Sequence, residues 1–523
     1  MSLLLSAEQS LAVHGIISNP QRNFLLCGIA GTGKSTVLQS CIELLQLAPD
    51  EVAVTSMTGL AADVVKGDTL HSTTGIGCVS YTDTLEDVWK KVKRNHVALS
   101  RLRKVKVLII DEVSLLSAQV FTILEEVLRL AHNSALPFGG VRIGLVGDFL
   151  QLPPFYDGLS EEENSKRKGE WYCFKSPVWL EKFKPIAFYL RQNQRAVDGT
   201  YRKFIEDLSE GRLTDEALAA FESRKTTISY STFFDKVYPG RIVICSINKR
   251  VKGVNDTMVS LYKSRLHFSA QDEFSHPASS SKAGLVAQVA LKEKVTVTRN
   301  CRIMFLKKHK VKATSDMRSK VAYTSSEVTV RNGTMGTVVG FSDRGFVERQ
   351  SQRAGLIGSF PSDHSLSNIE AEKAKVDWYA AEVRLDSGLS CHVALTEDSV
   401  VNEAGEILRR LQAPFDVAYA ASSHKCQGST CERVHVAISD GQMFEREQFY
   451  VVASRVKKLQ DLTIDTDLCL RSMPIGPSEE VKDFYSKAFP NEKFGWRCTR
   501  ENRQILSNPR VIGLKRSVDS LYI

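Results

Sequence analysis

The sequence predicts an α/β protein: two αβ domains with mostly parallel sheets, the second carrying an inserted small β-barrel module. Three observations predict it. Short apolar runs alternate with helix-like patterns through residues 1–182, and such alternation makes βαβ units. A glycine-rich turn, "GIAGTGKS" at 28–35, joins one of these strands to one of these helices. Between 291 and 398 the helical pattern stops, short β-like runs take over, and the αβ pattern then resumes.

In chain order, "NFLLCGIAG", "EVAVTSMTG", "VKVLIIDEV" and "VRIGLVGDF" read as strands. "KSTVLQSCIELLQ" and "AQVFTILEEVLRLAH" read as helices, with apolar residues three and four apart. The charged "SEEENSKRKGE" reads as a surface loop. A second αβ pattern, 183–290, starts near "KPIAFYLRQNQR", includes "RIVICSIN", and pauses at the Ser-rich "HPASSSKAG". The β module, 291–398, holds "VTVTRNCRIMFLKK", "SEVTVRNGTMGTVVGF", "AAEVRLDSG" and "LSCHVAL". Within it "RNGT" is a hairpin signal, and "ERQSQRAGLIGSFPSDHSLSN" reads as an irregular insertion. The αβ pattern returns over 399–470 with "FDVAYAASSHKCQGS", "CERVHVAIS" and "QFYVVASRV", followed by an extension, 471–523.

The bulk properties narrow the class. A chain of 523 residues exceeds one ordinary core. With 43% apolar and 25% charged residues it reads as soluble and globular. Its net charge of +9 fits a polyanionic partner without requiring one. No apolar run reaches the length of a membrane span, so no membrane partner is expected. The opening "MSLLLSAEQSLAVHG" lacks the charged and apolar regions of a secretory signal. The 11 cysteines form no CxxC pair, and Cys27 and Cys245 lie in apolar runs. Buried thiols of this kind fit a reducing compartment, nucleus or mitochondrion.

"GIAGTGKS" follows a strand and opens a helix, with Gly28, Gly33, Lys34 and Ser35 at phosphate-loop spacing. Glycines there let backbone N–H groups turn in around phosphates, and the helix dipole favours the anion. Lys34 reaches the outer phosphates and Ser35 ligates Mg²⁺ in such loops. "VLIIDEVS" ends an apolar strand on Asp111 and Glu112. Asp111 suits Mg²⁺, and Glu112 suits orienting and activating water. The same pair could instead cap a helix. These residues point to hydrolysis of a nucleoside triphosphate, an activity that many functions share.

Further segments resemble superfamily 1 DNA helicases, and within them the Pif (petite integration frequency) family of superfamily 1B, related to RecD. "SAEQSLAV" resembles the Q motif, "VTSMTGLAA" and "TLHSTTGIG" motifs Ia and Ib, and "GDFLQLPP" motif III. "FYLRQNQR" resembles motif IV, "AYAASSHKCQGST" motif V and "QFYVVASRV" motif VI. "FTILEEVLRLAHNSALPFGG" resembles the signature lying between motifs II and III of that family.

The resemblance implies two RecA-like domains, the first with a small inserted wedge and the second with an SH3-like β module. It implies that Gln9 meets the adenine and that Gly28, Ala30, Gly31, Thr32, Gly33, Lys34, Ser35 and Thr36 hold the phosphates, joined by Gln427 and Gly428. Lys34, Glu112, Gln151, Arg191 and Arg455 are the expected catalytic set. Ser35 and Asp111 are the expected Mg²⁺ ligands. Thr58, Gly59, Thr69, His71, Ser72, His424 and Lys425 are the DNA candidates, with a packed or capping histidine as the alternative for His71 and His424. "WKKVKRNHVALSRLRKVK" could border nucleic acid or be a solvated helix face.

The activity so implied is that of an ATP-dependent DNA helicase, moving 5′-to-3′ on single-stranded DNA and unwinding duplex or G-quadruplex DNA in replication, repair, recombination or telomere maintenance. The implied partners are single-stranded and forked DNA, G-quadruplexes or RNA–DNA hybrids, engaged by a monomer. Three alternatives stay open: a RecD-like motor subunit of a nuclease complex, an RNA helicase, and a single-strand-binding ATPase that does not unwind.

Overall fold

Aliphatic runs become strands because both of their faces can be covered. Phe24–Gly28 (β1), Val107–Asp111 (β4) and Arg142–Gly147 (β5) are buried at every position, as expected of a parallel sheet with helices on both sides. With Val52–Ser56 (β2), Asp68–Thr69 (β3) and Ile186–Leu190 (β6) they form one sheet in the order β3-β2-β4-β5-β1-β6. Every described pairing within it is parallel. Ser56 lies beside Asp111 and Cys27 beside Gly147. The carboxyl ends of the central strands therefore line up on one edge, where parallel sheets place ligands.

The computed structural model describes residues 5–496 apart from 157–158, 160–162, 165–167, 227–240, 263–264, 276–281, 315–322, 344–378, 394, 402–405, 439–444 and 467. It has two units, residues 1–247 with 422–523, and residues 248–421. The expected irregular insertion at 348–368 lies outside the described residues, as do parts of the two expected loops at 160–170 and 276–284.

In the first unit, helix Ala7–Ile17 (α1) starts with a reciprocal capping box between Ser6 and Gln9. Helix Lys34–Leu44 (α2) lays Val37, Leu38 and Cys41 on Phe24, Leu26 and Val146 of the sheet. Helices Gly59–Val64 (α3) and Leu70–Thr74 (α4) follow β2 and β3. Leu85–Arg94 (α5) and His96–Leu102 (α6) precede β4. Residues Lys93 to Val97, at the junction of α5 and α6, are all exposed.

Helix Ala118–His132 (α7) and the turn Pro137–Gly140 form one packed device. Phe138 takes φ 54°, in the left-handed region, and sends its fully buried ring against Phe121 and Phe183 at 5.5 and 6.3 Å. Its N–H donates to the buried Glu125 carboxylate (3.3 Å), which Lys182 pairs at 3.0 Å. A Cβ on Gly139 would lie 2.6 Å from the Leu128 carbonyl oxygen, so this turn can sit on α7 only with glycine there. The Pro-Phe-Gly-Gly turn is thus a plug. Phe138→Ala is expected to cost about 3–5 kcal/mol, read as a lowered urea midpoint of this unit. A loss under about 1 kcal/mol would refute the plug.

The same unit continues with helices Gly199–Glu210 (α8) and Asp215–Glu222 (α9). A second parallel set pairs Arg241–Cys245 (β7) with Arg433–Ala437 (β8), and that with Leu462–Asp465 (β9). Helices Ser423–Cys426 (α10), Gln448–Ala453 (α11) and Glu479–Ala488 (α12) complete it.

The second unit is β-rich. Seven antiparallel strands run in the order Tyr323–Val330, His309–Thr314, Ser390–Val393, Tyr379–Leu385, Met335–Asp343, Arg302–Phe305, Phe415–Val417. Among the described residues no pairing joins the two ends into a barrel. Strand Ile407–Gln412 pairs with both Thr396–Val401 and Gln271–Phe274, and Leu266–Ser269 pairs with Lys294–Val297. These pairings extend the β-rich part beyond 291–398 in both directions. "RNGT" corrects an expectation. It does turn, with Gly333 at φ 94°, yet the strands on either side of it are not neighbours. The Gly333 N–H donates to Phe305 O at 2.8 Å, so the turn docks on a third strand instead of closing a hairpin. At the unit's two ends, the Asn255 amide takes Ala420 N–H at 2.9 Å and gives to Ala420 O at 3.3 Å.

Candidate nucleotide site and nucleic-acid face

The loop between β1 and α2 is shaped by glycines at φ 86° (Gly31) and 82° (Gly33), a conformation that costs other residues energy. It is held from outside. Gln9 Nε2 donates to Thr32 O (3.0 Å), Asn193 Nδ2 to Ala30 O (2.9 Å), and Ala30 N to the Tyr450 hydroxyl (2.7 Å). Within it, Thr32 Oγ1 donates to Ile29 O (2.9 Å). Lys34 Nζ turns back to Gly28 O (2.8 Å) and Ile29 O (3.2 Å). Ser35 and Thr36 sit in the first turn of α2, where N–H groups face an anion. Gln9, expected at the adenine, has its amide engaged by Ser6 N–H and Thr32 O, so it braces the loop.

Asp111 ends β4, and its carboxylate accepts from Glu112 N at 2.9 Å. Burial, then the charge of Glu112, lift its pKa to about 7, with Lys34 pulling the other way. Glu112 takes φ 57° and makes no capping bond, so the helix-cap alternative does not hold. Its Oε2 instead accepts from Gln427 Nε2 (3.1 Å), which also donates to Ser114 Oγ (2.9 Å). Gly428, at φ 80°, fits tightly here. A Cβ would lie 3.0 Å from Ala61 Cβ and 3.2 Å from Glu112 Oε1. Ser35 and Asp111 offer hard oxygen ligands. Among the described residues no cluster of three or more His, Cys, Asp or Glu could hold a metal. That donor set suits Mg²⁺, which commonly keeps water and substrate phosphate as its other ligands.

Beyond β5 lie Asp148 and Gln151, both buried. Burial raises the Asp148 pKa, partly opposed by Lys34. Gln151 Oε1 accepts from Arg455 Nη2 at 3.4 Å. Arg455 is 2% exposed and fixed by Val451 O (2.7 Å), Ser429 O (3.3 Å) and Ser454 Oγ (2.7 Å). The structure thus gathers Lys34, Asp111, Glu112, Gln151, Gln427 and Arg455 from separate stretches of sequence.

Arg191 is not among them. Its guanidinium pairs with Glu492 at 2.6 Å and Glu210 at 3.7 Å and lies over the Phe494 ring at 5.2 Å. Those carboxylates draw it toward the C-terminal segment and away from the phosphate loop. Arg195 packs on the loop, where a Cβ on Gly31 would meet its Cβ at 2.9 Å. Gly31 O accepts from Gln194 N–H (2.7 Å) and Arg195 N–H (3.2 Å). Arg195 Nη1 donates to Ser454 O (3.4 Å), and burial followed by the Arg455 charge lowers its pKa. The segment "FYLRQNQR" holds both arginines. β6 ends at Leu190, just before the first of them.

The nucleic-acid candidates fall on three short helices of this unit and their caps. Thr58 caps α3 through Ala61 N–H (3.3 Å), with Gly59 next to it. Thr69 caps α4 through Ser72 N–H (3.3 Å), and burial pushes the His71 pKa down. His424 and Lys425 lie on α10, and Gly428 close behind approaches Ala61 on α3. Phe155, absent from the sequence-derived set, is 48% exposed with its ring 5.9 Å from that of His424. An exposed ring beside caps and a lysine offers a stacking face for a base.

Residues 4–217 match the family model for PIF1-like helicases. The chain is 29% identical over 496 residues to the ATP-dependent DNA helicase Pif1 of Psychrobacter sp., covering 89% of this chain and 70% of that one. Across its first curated relatives it spans 60–87% of their length. The crystal structure of Pif1 helicase from Candida albicans has the same fold, with TM-score 0.73 at 24% identity over 94% of this chain and all of that one. So does Pif1 helicase from Bacteroides in complex with ADP-AlF3 and ssDNA, with TM-score 0.67 at 21% identity over 94% and 98%. Motif order and the match over 4–217 agree in likening the chain to PIF1-like helicases, and these solved structures share its fold.

Proposed function

We propose that the chain is an ATP-driven motor that moves along single-stranded DNA and unwinds duplex DNA ahead of it. One observation carries this: Arg455, on the turn after α11, reaches Gln151 beyond β5 at 3.4 Å, so two sequence-distant parts of the unit meet over the phosphate loop. A fixed guanidinium fork there can neutralise charge developing on a transferring phosphoryl group. Gln427 holds Glu112 where a carboxylate can orient water. Mg²⁺, held by Ser35 and Asp111, would neutralise phosphate charge. ATP-dependent breaking of the Gln151–Arg455 and Glu112–Gln427 contacts would change the turns bearing His424 and Lys425, which is how hydrolysis would drive stepping.

Single-stranded DNA fits the capped turns, which offer hydroxyls, N–H groups and charge to a backbone without reading sequence. The relative from Bacteroides was solved with ssDNA, and a related structure concerns forked DNA. Travel 5′-to-3′, action on G-quadruplexes or RNA–DNA hybrids, and work as a monomer follow the family resemblance. Among the described residues no disulfide joins the ten cysteines, which suits the nucleus or mitochondrion. The test is ATP turnover with and without single-stranded DNA, together with strand displacement on 5′- and 3′-tailed DNA and RNA duplexes. Strong DNA stimulation and displacement from the 5′ tail are expected. Turnover indifferent to DNA would defeat the motor, and a preference for RNA tracks would favour the RNA-helicase reading.

A further inference from the structure

Asp148 is fully buried, and four donors hold it. Leu150 N–H (3.0 Å) and the Tyr485 hydroxyl (3.3 Å) reach Oδ1. The Tyr450 hydroxyl (2.7 Å) and Gln151 Nε2 (3.5 Å) reach Oδ2. Two of these donors come from far along the chain. Tyr450, on α11, also accepts from Ala30 N–H, so one phenol bridges the phosphate loop and the end of β5. Tyr485, on α12, lies beyond every helicase-like motif. Its hydroxyl also accepts from Phe149 N–H at 3.0 Å and interacts with the Cys27 thiol.

Packing leaves α12 little freedom. Phe484 stacks on Phe174 at 4.2 Å, and the Tyr485 ring meets Tyr189 at 5.7 Å and Phe494 at 5.4 Å. Arg191 clasps the following residues through Glu492. Phenylalanine at 485 would fill the same volume, so the hydroxyl has a task that packing does not explain. That task falls on Asp148 and Phe149, immediately before Gln151. Gln151 in turn touches Asp148 with its amide nitrogen and Arg455 with its amide oxygen. A swing of Asp148 would release both.

We propose that Tyr485 is a positioning residue for nucleotide turnover: with Tyr450 it fixes Asp148, and through Asp148 it sets Gln151 and Arg455, which makes helix α12 a working part of the ATP site. The proposal rests on the ATPase reading above. It gives the C-terminal segment a duty that the motifs do not assign, and it gives Arg191 one as well, as the clasp on that segment.

The test is DNA-stimulated ATP turnover of full-length Tyr485→Phe, beside wild type, Asp148→Asn and the double variant. The substitution keeps the ring, removes the hydrogen bond to Asp148 and takes away the acceptor of the buried Phe149 N–H. The expected result is a fall in kcat of about 10-fold, with KM for ATP within about two-fold and the thermal midpoint lowered by only about 2–4 °C, the mark of one buried N–H losing its acceptor. The double variant should be no slower than Asp148→Asn, since both act through one group. Wild-type kcat in Tyr485→Phe, or a fall matched by a lost thermal midpoint, would overturn the proposal while sparing the ATPase reading. A wild-type chain that does not turn over ATP would overturn both.

Discussion

Lys34→Ala is expected to reduce ATP hydrolysis to background, a loss of about 10³-fold or more. Lys34 Nζ sits between the carbonyls of Gly28 and Ile29, at the mouth of the loop. From there a small rotation carries it to an outer phosphate, where a water-poor site makes its charge count. It also offsets two buried carboxylates, since its charge lowers the pKa of both Asp111 and Asp148. Alanine removes the phosphate contact and leaves those carboxylates with less compensation. ATP affinity should fall together with turnover. A nucleotide titration and a turnover assay on the same preparation, with far-UV circular dichroism to confirm folding, decide it. Near-normal turnover would refute the site.

The second large effect belongs to Arg455. Arg455→Ala should leave ATP bound within a few-fold of wild type and slow hydrolysis by about 10³-fold, the lower end of what such arginines contribute. The split differs from that of Lys34 because Arg455 is held outside the phosphate loop, by Val451, Ser429 and Ser454, and would act on charge that develops during transfer. Arg455→Lys should not restore the rate, because an ammonium cannot reproduce the planar fork. Full rescue by lysine would reduce the role to simple charge. Loss of ATP binding in Arg455→Ala would make it a ground-state ligand instead.

The sequence made the phosphate site legible because its chemistry is local. Gly28 to Thr36 and the Asp111–Glu112 pair are read from spacing within single turns, and the structure places them at the ends of β1 and β4, with β5 between. Motif resemblance also located Gln151, Gln427 and Arg455, whose contacts are long-range. It could not say how the two arginines of "FYLRQNQR", four residues apart, divide between the loop and the C-terminal segment. Acidic partners on α8 and after α12 settle the matter, and no local pattern reveals them. Tyr450 and Tyr485 were invisible for the same reason: a buried tyrosine reads as core until its hydroxyl has a partner. The sheet of the first unit followed from apolar runs bounded by glycine. The β-rich unit was less legible, because antiparallel register depends on which strand arrives beside which, as the "RNGT" turn shows.

The amide of Asn255, closing on Ala420, bears on how this chain folds. β7 and β8 are register neighbours, Val243 beside His435, yet the whole 248–421 unit intervenes. For a flexible tether, joining those strands would require closing a long loop, and late, non-local closure is what slows folding. A unit that has already fastened its own entrance to its own exit presents the strands with a short tether. The insertion then lengthens the chain between β7 and β8 without lengthening the loop that has to close, provided that it folds first. Lengthening within 248–421 should thus be kinetically mild, while breaking the Asn255 fastening should delay formation of the β7–β8 pair.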